Sequence, residues 1–368
     1  MKITVITVCY NSVKTIEKTI QSVLSQRYHH LEYIIIDGGS TDGTQNIIDK
    51  YRKDIAVYIS EPDKGIYDAM NKGIKNASGD IVAFLNSDDW YMEEADVFNS
   101  VEKYFCHNKV DIVSGGICVC RDEASSRVPR IKLTKENIFL DIVCPHPAMF
   151  VKRGVYERLG AFDISYKIAA DTKWIINAYM NGIDILCVVD YFTYFSEGGI
   201  STTKRYAALE EQYNAARCCA LENHLIQMEE KIEKYYTAKL KEMEKEKNLE
   251  TALEENQDMV KELFDYHKKY YIWGAGIRGR QCLRIFEKLE IPVAGFIDSN
   301  KRQETINGYK VIKPNEVDRE SHICITPKNY EDEIKMQLHY IGIEENRFFS
   351  YSNMLEKMAD IGSLDKKQ

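Results

Sequence analysis

Apolar positions in the first ninety residues fall into short continuous runs separated by amphipathic stretches. Ile3 to Val8, Leu31 to Ile36, Ala56 to Ser60 and Ile81 to Leu85 have the length and composition of buried strands. Between them, Ile16, Ile20, Val23 and Leu24 recur at helical spacing, with Asn11 or Ser12 as the expected cap. Ile66, Ala69, Met70, Gly73, Ile74 and Ala77 form a second helical stripe. Buried strands alternating with helices predict an α/β fold around a parallel sheet.

Each of these strands ends in polar residues. The ends read Cys9-Tyr10-Asn11, then Asp37 to Gly43, then Glu61-Pro62-Asp63-Lys64-Gly65, then Asn86-Ser87-Asp88-Asp89. Ligands of open α/β sheets bind at the carboxyl ends of strands. A glycine-rich end lets backbone approach a ligand, and a carboxylate there can accept from a base or ribose. A carboxylate beside an amide and a small residue suits a hard cation that also holds a diphosphate. Taken alone, Asn86 to Asp89 reads equally well as a turn plus a helix N-cap, and Asp89 is expected to cap a helix near Glu93. Four such ends at one sheet edge favour a nucleotide-sugar site.

The segments TVCYN, IIIDGGSTDGT, DKGIYDAMNKGI and GDIVAFLNSDD together resemble the inverting family-2 glycosyltransferases of GT-A fold. They look nearest to the branch that builds bacterial O-antigen and capsular polysaccharides. The resemblance covers residues 1–203 and implies a mixed sheet with flanking helices. It implies that Thr7, Tyr10, Asn11 and Asp37 hold the nucleoside, with Asp37 facing uracil. Lys64, Gly65 and Asp68 would line the donor pocket with Asn86 and Ser87. Asp88 matches the last Asp of the D-x-D motif, which ligates Mn²⁺ or Mg²⁺. Two positions depart from the pattern. Asn86 replaces the first Asp of that motif, and Met70 stands where the family often has Arg, which shifts weight onto Lys64 and the metal.

Further on, Ala169-Ala170-Asp171 corresponds to a run that often ends in Glu-Asp, whose Asp is the catalytic base in that family. Asp171 is the base by that resemblance; by sequence alone it also suits a helix cap. The helix should stop at Asn181-Gly182. His146, between two prolines, and Trp174 are the candidate acceptor contacts, with packing as the other reading of His146. The implied reaction moves a hexose from UDP-galactose or a UDP-N-acetylhexosamine to a saccharide or lipid-linked saccharide. The stretches Arg121 to Leu140 and Tyr191 to Ser201 are expected to select the acceptor.

From Lys204 to Lys269 the composition turns to Lys and Glu, without Pro or Gly between Gly199 and Gly274. Apolar residues at Leu221, Leu225, Met228, Ile232 and Tyr235 or Tyr236, with pairs such as Glu230 and Lys234, predict long helices over 204–268. These helices either pack within the chain or form a homodimeric coiled coil. Residues 269–368 then restart as a small Rossmann-like α/β domain. Gly274, Gly276 and Gly279 form a G-x-G-x-x-G turn after a strand, and Asp298 lies about 20 residues on, where a ribose-binding acid would sit. That fingerprint makes an NAD-dependent epimerase or dehydrogenase the rival function. Against it, Tyr235 with Lys239 reads as a solvated helix face, and Tyr309 with Lys313 lies on a strand, where the side chains are about 13 Å apart. A third reading makes residues 204–368 a dock for a polysaccharide-assembly complex.

The net charge of −8 argues against a nucleic-acid partner. Ten scattered cysteines without metal-ligand spacing read as reduced thiols of a cytoplasmic protein. The first strand starts almost at Met1, which leaves no room for a signal peptide, and no apolar run spans a bilayer. Work at the inner face of the cytoplasmic membrane fits the implied acceptor.

Overall fold

The four hydrophobic runs become β1 (Ile3–Cys9), β2 (Leu31–Asp37), β3 (Val57–Ser60) and β4 (Ile81–Phe84). They come from a computed structural model that describes residues 1–121, 124–274, 276–299, 304–327 and 330–363. The chain divides into two units, Met1–Leu240 and Lys241–Gln368.

In the first unit β1 to β4 pair in parallel, with Cys9 opposite Asp37 and Asp37 opposite Ser60. β5 (Trp90–Tyr91), β6 (Ile112–Arg121), β7 (Ala124–Arg127), β8 (Met149–Lys152) and β9 (Ile185–Ser196) extend this into a mixed sheet. The order is β3-β2-β1-β4-β8-β6-β9-β5, with β7 paired to β6. β1, β2 and β4 are buried on both faces, and Tyr33, Tyr91, Phe98, Phe150 and Phe192 fill the space between the sheet and its helices. β8 is antiparallel to β4. Its amino end therefore lies beside the carboxyl end of β4, and the His146 ring stacks on Phe84 at 5.1 Å.

The first helix runs over Ile16–Leu24 with Thr15 as its cap residue and no side-chain cap bond. Asn11, expected as a cap, instead takes a left-handed conformation (φ 50) and accepts the Thr41 N–H at 2.9 Å. Asp89 is not a cap either, since the next helix begins at Val97 with Asp96 before it.

The helices expected between the domains are Arg205–Glu222, Ile226–Glu255 and Gln257–Lys261. The unit boundary falls inside the second of them. Ala208, Ala215, Ala216, Cys219 and Ala220 bury one face of Arg205–Glu222, and such small residues let it approach the helix Ala170–Met180 closely. Tyr235 and Lys239 are not simply solvated. The Tyr235 hydroxyl donates to Asp141 at 2.7 Å, and Lys239 lies 4.3 Å over the Tyr235 ring.

In the second unit β10 (Tyr270–Trp273), β11 (Val293–Ile297), β12 (Thr305–Ile306), β13 (Tyr309–Ile312), β14 (His322–Ile325) and β15 (Phe348–Ser350) pair in the order β12-β13-β11-β10-β14-β15. All pairs are parallel except β12 with β13. Gly274 has φ +103, and a Cβ on Gly279 would lie 1.9 Å from the Gly274 carbonyl oxygen, so both positions require glycine. Gly276 precedes the helix Ile277–Lys288 and Asp298 follows β11; Ala275 lies outside the described residues. Tyr309 lies on β13 with Lys313 just beyond it.

All ten cysteines are free. Among the described residues no helix is long and apolar enough to cross a membrane.

The turn into β4 is tightly packed. A Cβ on Gly79 would stand 2.6 Å from Thr4 Oγ1 and 2.8 Å from the Lys2 carbonyl oxygen. Gly79→Ala should destabilise the fold by about 1–3 kcal/mol through overpacking. Urea unfolding would show it, and a midpoint equal to wild type would mean that the turn relaxes freely.

Candidate active site

The parallel pairing of β1 to β4 brings Tyr10, Asn11, Asp63, Lys64 and Asn86 to Asp89 to one edge. Antiparallel β8 adds His146 from the other side. A cavity of about 390 Å³ opens there, and Tyr67, Asn86, His146, Asp171 and Thr172 are among its walls.

Asp171 lies in the first turn of Ala170–Met180. Its Oδ1 accepts from the Tyr67 hydroxyl at 3.0 Å and from the Thr172 N–H at 2.9 Å. The Tyr67 hydroxyl shares its proton with the Ile168 carbonyl, 2.6 Å away. Burial first, and the Asp171 carboxylate second, push the Tyr67 pKa well above the ordinary phenol range, so Tyr67 remains a donor. Asp171 is not the helix cap. The N–H groups of Lys167, Ile168 and Ala169 ahead of the helix donate to Glu211, at 2.7 Å for Ile168 and 3.0 Å for Ala169. Glu211 belongs to Arg205–Glu222, and no local sequence signal marks it. Asp171 Oδ2 has no hydrogen-bond partner among the described residues.

His146 is buried, stacked on Phe84 and edge-on to Phe162, and its Nε2 is buried without a partner among the described residues. Burial lowers its pKa below the usual value against the opposing pull of Asp171, so the ring is neutral at pH 7. Asp163 is a poor proton acceptor. Lys173, 2.9 Å away, and Ser165 hold its pKa at about 2. Trp174, expected to meet the acceptor, is instead core. It is buried, stacks on Tyr156 at 4.6 Å, and donates its indole N–H to the Gly160 carbonyl at 2.9 Å.

At the end of β4, the Asn86 Oδ1 is buried without a partner among the described residues. Ser87 Oγ is bonded to Ser12 Oγ at 2.8 Å. Burial raises the pKa of the half-buried Asp88. Asp89 is fully buried; its Oδ1 accepts the Ser196 N–H at 3.0 Å, and burial followed by the charge of Asp88 pushes its pKa well up. Among the described residues no three His, Cys, Asp or Glu side chains converge on a metal position. The residues present fit a hard cation held by Asp88 with water and phosphate oxygens as its other ligands, the usual environment of Mg²⁺ beside a diphosphate. Asp88 carries no ion pair among the described residues, and a carboxylate whose pKa is raised by burial gains from a cation.

On the nucleoside side two expectations are corrected. Thr7 is fully buried, with its hydroxyl 3.0 Å from the Tyr33 hydroxyl, because β1 is covered on both faces. Asp37 is also fully buried. Its carboxylate accepts from the Ser40 N–H and hydroxyl and from the Ser60 hydroxyl at 2.6 Å, so it staples β2 to β3 and does not face solvent. The exposed groups there are Tyr10, 65% accessible, and Asn11. A Cβ on Gly38 would lie 2.7 Å from Asp63 Oδ2 and 3.4 Å from the Tyr10 ring. Asp63, not singled out from the sequence, thus fills the space that a side chain at position 38 would take. Gly65 (φ +125) shapes the next turn, where Asp63 accepts the Gly65 N–H and Asp68 accepts the Lys64 N–H at 3.0 Å. The Lys64 side chain is exposed, and Lys72 pairs with Glu61 at 2.8 Å.

Comparison with known proteins bears on the family and the fold. Residues 4–160 match the model of glycosyl transferase family 2, and residues 266–349 match a model described as C2185-like, N-terminal. An uncharacterized glycosyltransferase of Mycobacterium tuberculosis is 34% identical over 196 residues, 52% of this chain and 74% of the relative. A putative teichuronic acid biosynthesis glycosyltransferase of Bacillus subtilis is 43% identical over 95 residues, 25% of this chain and 38% of that protein. Among solved structures, Staphylococcus aureus TarS 1–349 in complex with UDP-GlcNAc superposes with a TM-score of 0.52 at 22% identity, over 63% of this chain and 71% of TarS. A Pyrobaculum calidifontis mannosyltransferase with GDP-Man and Mn²⁺ gives 0.51 at 19% identity, over 65% of this chain and 72% of that one. These likenesses identify the GT-A fold. With the family model on its sheet and a relative above 30% identity matched over most of its length, the chain belongs to glycosyl transferase family 2.

Proposed function

We propose that this chain is an inverting, metal-dependent hexosyltransferase of surface-polysaccharide synthesis. Its donor is UDP-galactose or a UDP-N-acetylhexosamine, and its acceptor a hydroxyl of a lipid-linked saccharide at the inner membrane face. The observation that carries this reading is Asp171. It shares one cavity with Asn86, two residues before Asp88, and its Oδ1 is anchored while Oδ2 is spare.

Tyr10 gives the base a ring to lie against. Asp63, rather than Asp37, is the carboxylate beside it that can accept a base N–H. Asn86 offers its unpartnered Oδ1 to a ribose hydroxyl. Asp88 holds Mn²⁺ or Mg²⁺ against the diphosphate, and the cation supplies charge stabilisation to the leaving group without proton transfer. Asp171 takes the proton of the acceptor hydroxyl. Tyr67 and Glu211 fix where that carboxylate points. Attack from the face opposite the leaving group inverts the anomeric centre, so an α-linked donor gives a β-linkage. No residue of the second unit enters these steps; we read it as an appendage that binds a nucleotide or a partner.

A screen of nucleotide sugars for release of free nucleotide would identify the donor. With that donor, Asp171→Asn should lower kcat by about 10²–10⁴-fold with donor affinity and melting temperature nearly unchanged. Near-normal turnover would move the base to His146.

Calorimetric titration with UDP should show tighter binding in Mn²⁺ than in EDTA for the wild type and no such difference for Asp88→Ala. Equal binding under both conditions in the wild type would remove the metal from the site.

Glu211→Ala frees three N–H groups and loosens the start of the helix that bears Asp171. Its kcat should fall about tenfold or more with donor affinity retained, since small misplacements of a reacting group are costly. Glu211→Gln, which keeps an acceptor, should recover much of the loss. An unchanged kcat in the Ala variant would show that Asp171 is positioned without it.

A further inference from the structure

Much of the cavity beyond Asp171 is aliphatic. Val128, Ile131, Ile138, Leu140, Ile142 and Ile200 line it. Four of these are also exposed: Val128 at 38%, Ile131 at 36%, Ile142 at 65% and Ile200 at 43%. They come from separate segments: the stretch after β7, the loop before β8, and the short turn of helix Ile200–Thr203. Exposed aliphatic side chains gathered from separate segments around one cavity mark a binding surface more than chance does.

Several polar groups among its walls are already engaged. Arg130 donates to the carbonyls of Ser114 (2.9 Å), Val188 (3.1 Å) and Val143 (3.4 Å). Asp141 accepts from Tyr235, and Lys239 lies over the Tyr235 ring and 4.0 Å from Asp141. A sugar ring laid against these aliphatic side chains would leave hydroxyls poorly satisfied, a cost that an apolar group escapes. Asn86, Asp171 and Thr172, also among the walls, remain available for a sugar. A cavity of about 390 Å³ is the size that takes one small ligand.

We propose that the aliphatic part of this cavity holds an apolar aglycone joined directly to the sugar that is glycosylated. This rests on the reading above that Asp171 marks the reacting end. Because that carboxylate and the aliphatic wall share one small cavity, the apolar group lies next to the reacting sugar and not many residues away. The acceptor is then an early one, a sugar still close to its apolar carrier. The reaction that supplies it attaches a first sugar to an apolar alcohol or its phosphate.

The probe is n-octyl β-D-glucopyranoside below its micelle concentration, with methyl β-D-glucopyranoside as the sugar-only control, titrated into the full chain with UDP and Mn²⁺ present. The octyl compound should bind about a hundredfold more tightly, the effect of burying three or four methylenes. Ile142→Ser and Ile131→Ser should each cut that preference about tenfold, while Ile142→Leu keeps it. Equal binding of the two glycosides, or a preference untouched by both serine variants, overturns the assignment. Ile142 is exposed enough that its variants fold. Failure of the glycosyltransfer reading is distinguishable, because UDP would then not bind in the same cell before any glycoside is added.

Discussion

The site depends on one feature of strand direction. β8 lies antiparallel against β4, so the chain enters β8 at the same edge where it leaves β4. Had β8 run parallel, Cys144 to Ala148 would lie at the far end of the sheet from Asn86 and Asp88. The antiparallel neighbour instead sets His146 against Phe84. It lets Asn86 line one cavity with Ile138, His146 and Asp171. The Phe84, His146, Phe162 and Tyr156 rings pack together there.

Around that junction, carboxylates differ in what already bonds them. Asp37 and Glu211 are both saturated by intramolecular donors, and a hydrogen bond to a charged group is worth about 1.5–3 kcal/mol. Such groups fix loops and have little left for a ligand. Asp163 is likewise tied up by Lys173 and Ser165. Asp88 and Asp171 differ. The first has no cation beside it among the described residues, and the second has one oxygen anchored and one spare. Lone-pair accounting, more than motif position, separates the two classes.

Hydrophobic patterning was enough to predict β1 to β4, two of the helices between them and a common polar edge; the helix Thr44–Lys50 was not predicted. Local burial alternation and helical spacing are properties of consecutive residues, and they survive without knowledge of the partner elements. The resemblance carried by TVCYN, DKGIYDAMNKGI and LNSDD reached the family for the same reason, since each motif is contiguous. The long charged helices and the second α/β sheet were also legible, from composition and from the spacing of Gly274, Gly276 and Gly279.

Tertiary structure alone decided which polar residues face the cavity. Thr7 and Asp37 have the right residue type at the right strand end, yet β1 and β2 are central strands covered on both faces, and that burial turns them inward. Trp174 follows Asp171 by less than one helical turn, and the same helix directs one to the cavity and the other to the core. Asp63 stands in the space left by the missing side chain of Gly38, a relation between two loops that no local pattern records. Glu211 reaches the start of the Asp171 helix from 42 residues on. Residues distant in the chain meet only when packing brings their elements together, which is why the sequence fixes which chemistry is present and the fold fixes where it acts.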